Sequence, residues 1–175
     1  CLRQYGANPG RGGHRMSLQA GRIILETREL LANLFNITDS SRIVFTGNVT
    51  EALNLGIKGL LKPGDHLVIS SMEHNAVARP LRALASQGVE ITRVPCSADG
   101  TTDPDDVLRT VRPNTRLVAL THASNVLGTV LPVAEVGARL RERGIPLLVD
   151  AAQTAGVFPL DVSSMSISLL AMSGH

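Results

Sequence analysis

The residues most able to do chemistry in this sequence stand directly after apolar runs. Asp150 closes the run Ile145-Pro146-Leu147-Leu148-Val149. An acid at the mouth of an apolar strand is costly unless it meets a cation or several donors. Gln153, Ser173 and His175 follow soon after it, at the end of the sequence. Three further polar clusters occupy equivalent places: Thr46-Gly47-Asn48-Val49-Thr50-Glu51, Ser70-Ser71-Met72-Glu73-His74-Asn75 and Thr121-His122-Ala123-Ser124-Asn125. Where Gly47 to Thr50 open a helix, free N–H groups and the positive helix end can hold a phosphate, with the Thr50 hydroxyl added. His74 can move a proton. The loop Gly6 to Arg15 places Arg11, His14 and Arg15 on flexible backbone able to receive an anion.

Each of these residues also has a plainer role. Gly47 to Thr50 can be ordinary capping, His74 a helix-cap histidine, Asn125 a turn residue and Asp150 the cap of a following helix. The Gly6–Arg15 loop can be simple surface. His66 and His122 read as structural, as does Cys96 in its Pro95-Cys96-Ser97 turn. The Gly47 segment lacks the Lys and spacing of a P-loop, and no dinucleotide glycine pattern occurs. The five histidines show no metal-site spacing, so no metal is expected.

A repeating strand–turn–helix pattern must position these residues. Ser17 reads as the N-cap of a helix from Leu18 to about Asn36, with Ile23, Ile24, Leu30, Leu31, Leu34 and Phe35 on one apolar face. Arg42–Thr46 reads as a first strand. Strands are then expected at His66–Ser70, Val89–Val94, Thr115–Thr121, Ile145–Val149 and Ile167–Ala171. The helices between them cover Val49 to Leu61, Asn75 to Gln87, Thr101 to Thr110 and Pro132 to Arg143. Continuous apolar strands separated by amphipathic helices predict an α/β fold: three layers, αβα, around a mostly parallel sheet. In such sheets ligands sit beyond the carboxyl ends of the strands, where the polar clusters fall.

Composition narrows the function classes. The length of 175 residues suffices for one domain with a sizeable core. A net charge of +2, with scattered cations, argues against a nucleic-acid or membrane-surface binder. With no Trp, one Tyr and three Phe, stacking platforms for single strands are not expected. Two cysteines without a spaced framework lean toward a reducing, cytoplasmic setting. No apolar run reaches the roughly 18 residues of a membrane span, and no signal peptide is visible.

Taken in order, six motifs resemble the large domain of class V aminotransferase-fold enzymes, in particular the cysteine desulfurase and selenocysteine lyase group. They are Asn8-x-x-Arg11-Gly12-x-His14, Asn48-Val49-Thr50-Glu51, Glu73-His74-Asn75, Ser124-Asn125-Val126-Leu127-Gly128, Asp150-Ala151-Ala152-Gln153 and Ser173-Gly174-His175. The resemblance spans nearly the whole chain. It implies a fold-type I enzyme using pyridoxal 5′-phosphate, in which Asp150 pairs with the protonated pyridine nitrogen. His74 would stack on the ring and assist proton transfer, while Gln153 and Asn125 would bond the phenolic oxygen. The Val49 and Thr50 backbone, the Thr50 hydroxyl, Ser173 and His175 would bind the phosphate. Arg11 and His14 would lie near the active site at a homodimer interface.

The family pattern continues from Ser-x-His into the Schiff-base Lys, expected directly after His175. The sequence is therefore expected to be a fragment: residues 1–175 as a partial cofactor-binding large domain, without its N-terminal segment, that Lys or the C-terminal small domain. As such it is expected not to turn over. Family members commonly carry Ala or Thr where Val49 stands, which a backbone contact tolerates. The implied activity of the intact protein is conversion of L-cysteine to L-alanine, with sulfur passed to an enzyme persulfide and on to a sulfur-acceptor protein. Selenocysteine lysis, transamination and epimerisation share these residues. A non-catalytic α/β domain binding a phosphorylated ligand is the alternative from another class.

Overall fold

The computed structural model describes residues 6–10 and 12–174. The chain divides into two compact units, residues 1–44 and residues 45–175.

In the first unit, helix α1 spans Arg15–Leu34. It begins before Ser17, because the cap is His14, whose Nδ1 accepts the Ser17 N–H at 3.3 Å. Ser17 is instead buried inside the first turn, where its hydroxyl donates to the Asn8 carbonyl at 2.5 Å. Asn36, with a left-handed φ of 53°, stops the helix, and the Ile37 N–H returns to the Ala32 carbonyl at 2.8 Å. The expected apolar face is only partly covered. Phe35 is buried and Ile23, Ile24 and Leu31 are half-buried, but Leu30 and Leu34 are 69% and 57% exposed. The first expected strand does not form. Ser40–Arg42 is a short 3-10 helix capped by Asp39, and residues 43–46 join no ladder. Ile43 has extended backbone, yet a strand needs a pairing partner and the described residues offer it none.

The second unit is a five-stranded sheet with flanking helices. Its strands are β1 (His66–Ser70), β2 (Glu90–Val94), β3 (Thr115–Thr121), β4 (Leu147–Asp150) and β5 (Leu169–Ala171). They lie in the order β2-β1-β3-β4-β5, and every pairing is parallel. Helices α2 (Val49–Leu60), α3 (Asn75–Ser86), α4 (Pro104–Arg109) and α5 (Val133–Glu142) alternate with the strands. The α/β expectation holds because the central strands β1, β3 and β4 alternate their side chains between two covered faces. Leu67, Ile69, Leu117, Ala119 and Leu148 share one buried cluster with Leu53 and Ile57 of α2 and Val77, Leu81 and Leu84 of α3. Their neighbours Val68, Val118, Leu120, Leu147 and Val149 are equally buried on the opposite face.

On that opposite face α5 comes very close to the chain. A Cβ on Gly137 would lie 2.2 Å from the Met165 carbonyl oxygen and 3.3 Å from a Leu147 methyl. Only glycine leaves room there. Helix α4 is shorter than the Thr101–Thr110 segment expected, since Asp103 caps it and Pro104 occupies its first turn. Thr101 is instead drawn into a knot with Asp99, which accepts from the Ser97 hydroxyl at 2.5 Å and the Thr101 N–H at 3.0 Å. Among the described residues, no helix is long and apolar enough to cross a membrane.

Candidate active site

Because all five strands run the same way, Ser70, Val94, Thr121, Asp150 and Ala171 end on one edge of the sheet. Helix α2 runs back to feed β1 from the other edge, so its N-terminal turn also lies at the carboxyl end of the strands. The polar residues singled out in the second unit therefore reach one edge by five separate segments.

Asp150 is the last residue of β4 and is buried. Its Oδ1 accepts the Ala152 N–H at 3.0 Å. A turn rather than a helix follows, so the capping role open to this acid reduces to one local hydrogen bond. Burial pushes its carboxyl above the usual range, while the Ala152 N–H and the charge of His74 pull it down. The acid is thus desolvated and only partly compensated, the condition in which a cation is most stabilising.

His74 caps α3: its Nδ1 accepts the Ala76 N–H at 3.1 Å. The cap fixes the ring's orientation through one nitrogen. The structural and chemical readings of His74 are therefore compatible, since the ring is held by one nitrogen and exposed otherwise. His74 and Thr50 line one open groove of about 450 Å³, together with Asn54, Lys58, Asn75 and Arg79.

At the start of α2, the Asn48 side chain accepts the Glu51 N–H at 2.9 Å, and Glu51 in turn accepts the Gly47 N–H at 2.7 Å. The first intrahelical bond is Ala52 N–H to the Asn48 carbonyl. The Val49 and Thr50 N–H groups precede it and are the helix's orphan donors. The cap uses the Glu51 and Gly47 donors and leaves those two, so capping does not preclude an anion here.

Asn125, Gln153 and Ser173 sit on the loops after β3, β4 and β5. Asn125 is exposed on a loop closed by the Ala123–Val130 bridge, with the Ser124 hydroxyl accepting the Val126 and Leu127 N–H groups. No described hydrogen bond joins Asn125, Gln153 or Ser173 to Asp150. His14 belongs to the first unit, where it caps α1. Arg11 and His175 lie outside the described residues.

The groups read as structural have structural partners. His66 bonds the Thr115 and Thr92 hydroxyls, each at 2.8 Å, and is fully buried. His122 bonds the Thr154 hydroxyl at 2.9 Å and meets the Phe158 ring edge-on. The Cys96 thiol lies 3.0 Å from the Thr102 hydroxyl.

Four residues of the groove and the edge were assigned no role from sequence. Asn54 and Lys58 follow Thr50 at helical spacing of four, and Arg79 follows Asn75 likewise, so the periodicity of α2 and α3 held that signal. Glu73 gave none beyond its motif. Its Oε1 accepts the Ser70 hydroxyl at 2.6 Å and the Thr121 N–H at 2.9 Å. Its Oε2 is buried and has no partner among the described residues.

An apolar edge would suit none of this. A desolvated acid, a histidine and a helix start with free donors share one sheet edge, an arrangement able to hold a cation and an anion. Comparison with known proteins places the chain in a family. Cysteine desulfurase IscS of Vibrio atlanticus (strain LGP32) is 39% identical over the whole chain, which corresponds to 45% of that protein. The structure of SspA in complex with cysteine superposes with a TM-score of 0.91 at 35% identity, covering 98% of this chain and 50% of SspA. The apo cysteine desulfurase of Thermococcus onnurineus NA1 gives 0.89 at 32% identity, over 99% of this chain and 45% of the enzyme. The chain thus spans about half the length of the relatives it matches. The family model for class-V aminotransferases matches residues 1–175 throughout, and the chain belongs to the class-V aminotransferase family.

Proposed function

We propose that this chain forms much of the cofactor-binding large domain of a cysteine desulfurase that works with pyridoxal 5′-phosphate. The observation that carries the reading is Asp150: a buried carboxyl at a parallel strand's end, short of donors and beside His74. When bound, the cofactor supplies an electron sink that lets bonds at the amino acid's Cα, and through them the Cβ–S bond, be broken.

The chain's own residues have definite tasks in this reading. Asp150 opposes the positive charge of the ring nitrogen and keeps it protonated. His74, fixed by its bond to Ala76, covers the ring face and moves a proton. The Val49 and Thr50 N–H groups and the Thr50 hydroxyl hold the phosphate, with Ser173 and His175 completing its shell. Gln153 and Asn125 donate to the phenolic oxygen. Arg11 and His14 serve the substrate side at a homodimer interface.

The reaction is the transfer of sulfur from L-cysteine to an enzyme thiol. The Cβ–S bond breaks and an S–S bond to the enzyme sulfur forms; the proton released by the enzyme thiol replaces sulfur on Cβ, so L-alanine leaves and the enzyme keeps an S–SH persulfide. A sulfur-acceptor protein then takes the sulfane sulfur. Sulfur metabolism in the cytoplasm is the setting this implies.

The test uses the full-length protein. Added pyridoxal phosphate should give a visible absorption band, and cysteine should yield alanine and, with reductant, sulfide. Asp150→Ala should weaken cofactor binding by about 10- to 100-fold, the value of a hydrogen bond to a charged group. The same variant should melt no lower without cofactor, since it removes a desolvated acid. An unchanged band and activity in Asp150→Ala would reject the ring-nitrogen assignment. Absence of alanine and sulfide would reject desulfuration and move the assignment to another class V activity.

A further inference from the structure

Glu73 is a buried ionisable group at this edge to which the proposed chemistry gives no task. Its Oε1 takes hydrogen bonds from two neighbouring strands, the Ser70 hydroxyl of β1 and the Thr121 N–H of β3. Its Oε2 is sealed from solvent and has no partner among the described residues. A bare, buried, ionised oxygen is very costly, whereas a proton placed on it removes the charge and keeps both bonds on Oε1.

Asp150 stands one strand further on. Thr121, whose N–H Glu73 holds, is the register partner of Asp150 in the β3–β4 ladder. Two carboxyls so placed in a partly dry site do not both ionise cheaply. Asp150 is the better anion, helped by the Ala152 N–H and by His74. The two carboxyls titrate as a coupled pair, Asp150 first. The Asp150 charge raises Glu73, which is still neutral when Asp150 ionises.

We propose that Glu73 is a positioning residue that holds a proton behind Asp150: its neutral carboxyl ties the carboxyl ends of β1 and β3 together and leaves Asp150 the single negative charge at this corner. Burial, and behind it the Asp150 charge, push the Glu73 carboxyl up to about 7 against the donors Ser70 and Thr121. The charged group acting on it is Asp150 from β4. Ser70 of β1 and Thr121 of β3 are neutral donors, and His74 at the start of α3 acts on Asp150. Glu73 also precedes His74 directly, so the strand tie fixes where the His74 cap begins. The positioning role rests on reading this edge as the cofactor site; the proton does not.

The experiment is a melting series on the cofactor-free full-length protein between pH 5 and pH 8, with a parallel titration by pyridoxal phosphate at pH 6. The melting temperature of the wild type should fall relative to that of Glu73→Gln as the pH rises toward 7.5. Glu73→Gln, a permanently neutral mimic, should melt at or somewhat above wild type at pH 5.5, lose less on going to alkaline pH, and be clearly the more stable at pH 8. A wild-type slope in Glu73→Gln, or a large loss at pH 5.5, would overturn the held proton. In the titration, Glu73→Ala should bind the cofactor about tenfold more weakly, as expected for a lost structural hydrogen-bond pair, and Glu73→Gln within about threefold of wild type. Equal losses in both variants, or none in Glu73→Ala, would overturn the positioning role. A wild type that binds no cofactor would overturn it together with the proposed function, while the melting series would still decide the proton.

Discussion

The two edges of the sheet use similar residues to opposite ends. At the amino edge, His66 is fully buried and both ring nitrogens are occupied, one by Thr115 and one by Thr92. Arg112 closes the same corner through Glu90, and Asn114 adds a bond to the Gly64 carbonyl. At the carboxyl edge, His74 uses one nitrogen, Asp150 one described hydrogen bond, and Glu73 leaves an oxygen bare. The saturated edge contributes stability. The unsaturated edge gives up stability to keep binding capacity, and the difference locates the site better than residue type does.

The sharpest way to break this comparison is to exchange the histidines' fates. His66→Ala should cost about 2–4 kcal/mol, from the cavity and the stranded threonines, and lower the melting temperature by roughly 5–15 °C without altering the cofactor band. His74→Ala should cost only the cap, about 1 kcal/mol, yet diminish the band. Equal losses of stability in the two would erase the distinction between the edges.

The edges should also answer pH with opposite signs. Glu73, raised from 4.5 to about 7, keeps a proton that the unfolded chain releases. Its contribution is complete below the ordinary carboxylate range and is lost as the pH climbs to about 7, roughly 3 kcal/mol in all. His66 is lowered, by burial first and then by the Arg112 charge. Its contribution is complete above 6.5 and is lost as the pH falls. Urea titrations from pH 4.5 to 8 on Glu73→Gln and His66→Gln should each remove one limb. The smallest effect belongs to the rim: Arg112→Ala breaks a half-exposed pair with Glu90 and should change stability by less than about 1 kcal/mol in a urea titration.

Legibility in the sequence followed the distance over which each feature is determined. The parallel sheet and the place of Asp150 were readable, because a run of apolar residues states its own burial and delivers the next residue to the edge. The cap of α1 was misplaced by three residues, since choosing His14 over Ser17 depends on the Asn8 carbonyl, which takes the Ser17 hydroxyl. The first expected strand failed for a similar reason: β-branched residues state a preference for extended backbone, not the existence of a partner. Glu73 was the least readable. Its burial depends on a main-chain donor 48 residues later, and no local pattern announces that.

Gly137 has a consequence for evolution as much as for packing. The Met165 carbonyl occupies the space of the missing side chain, so α5 and the turn leading into β5 travel as one piece. The height at which β5 delivers Ser173 to the sheet edge is thereby gauged from the far side of the sheet. A residue that never meets the ligand can then decide how well it is held. In a selection for cofactor retention, position 137 should admit no side chain at all, behaving like a site residue while lying among helix contacts.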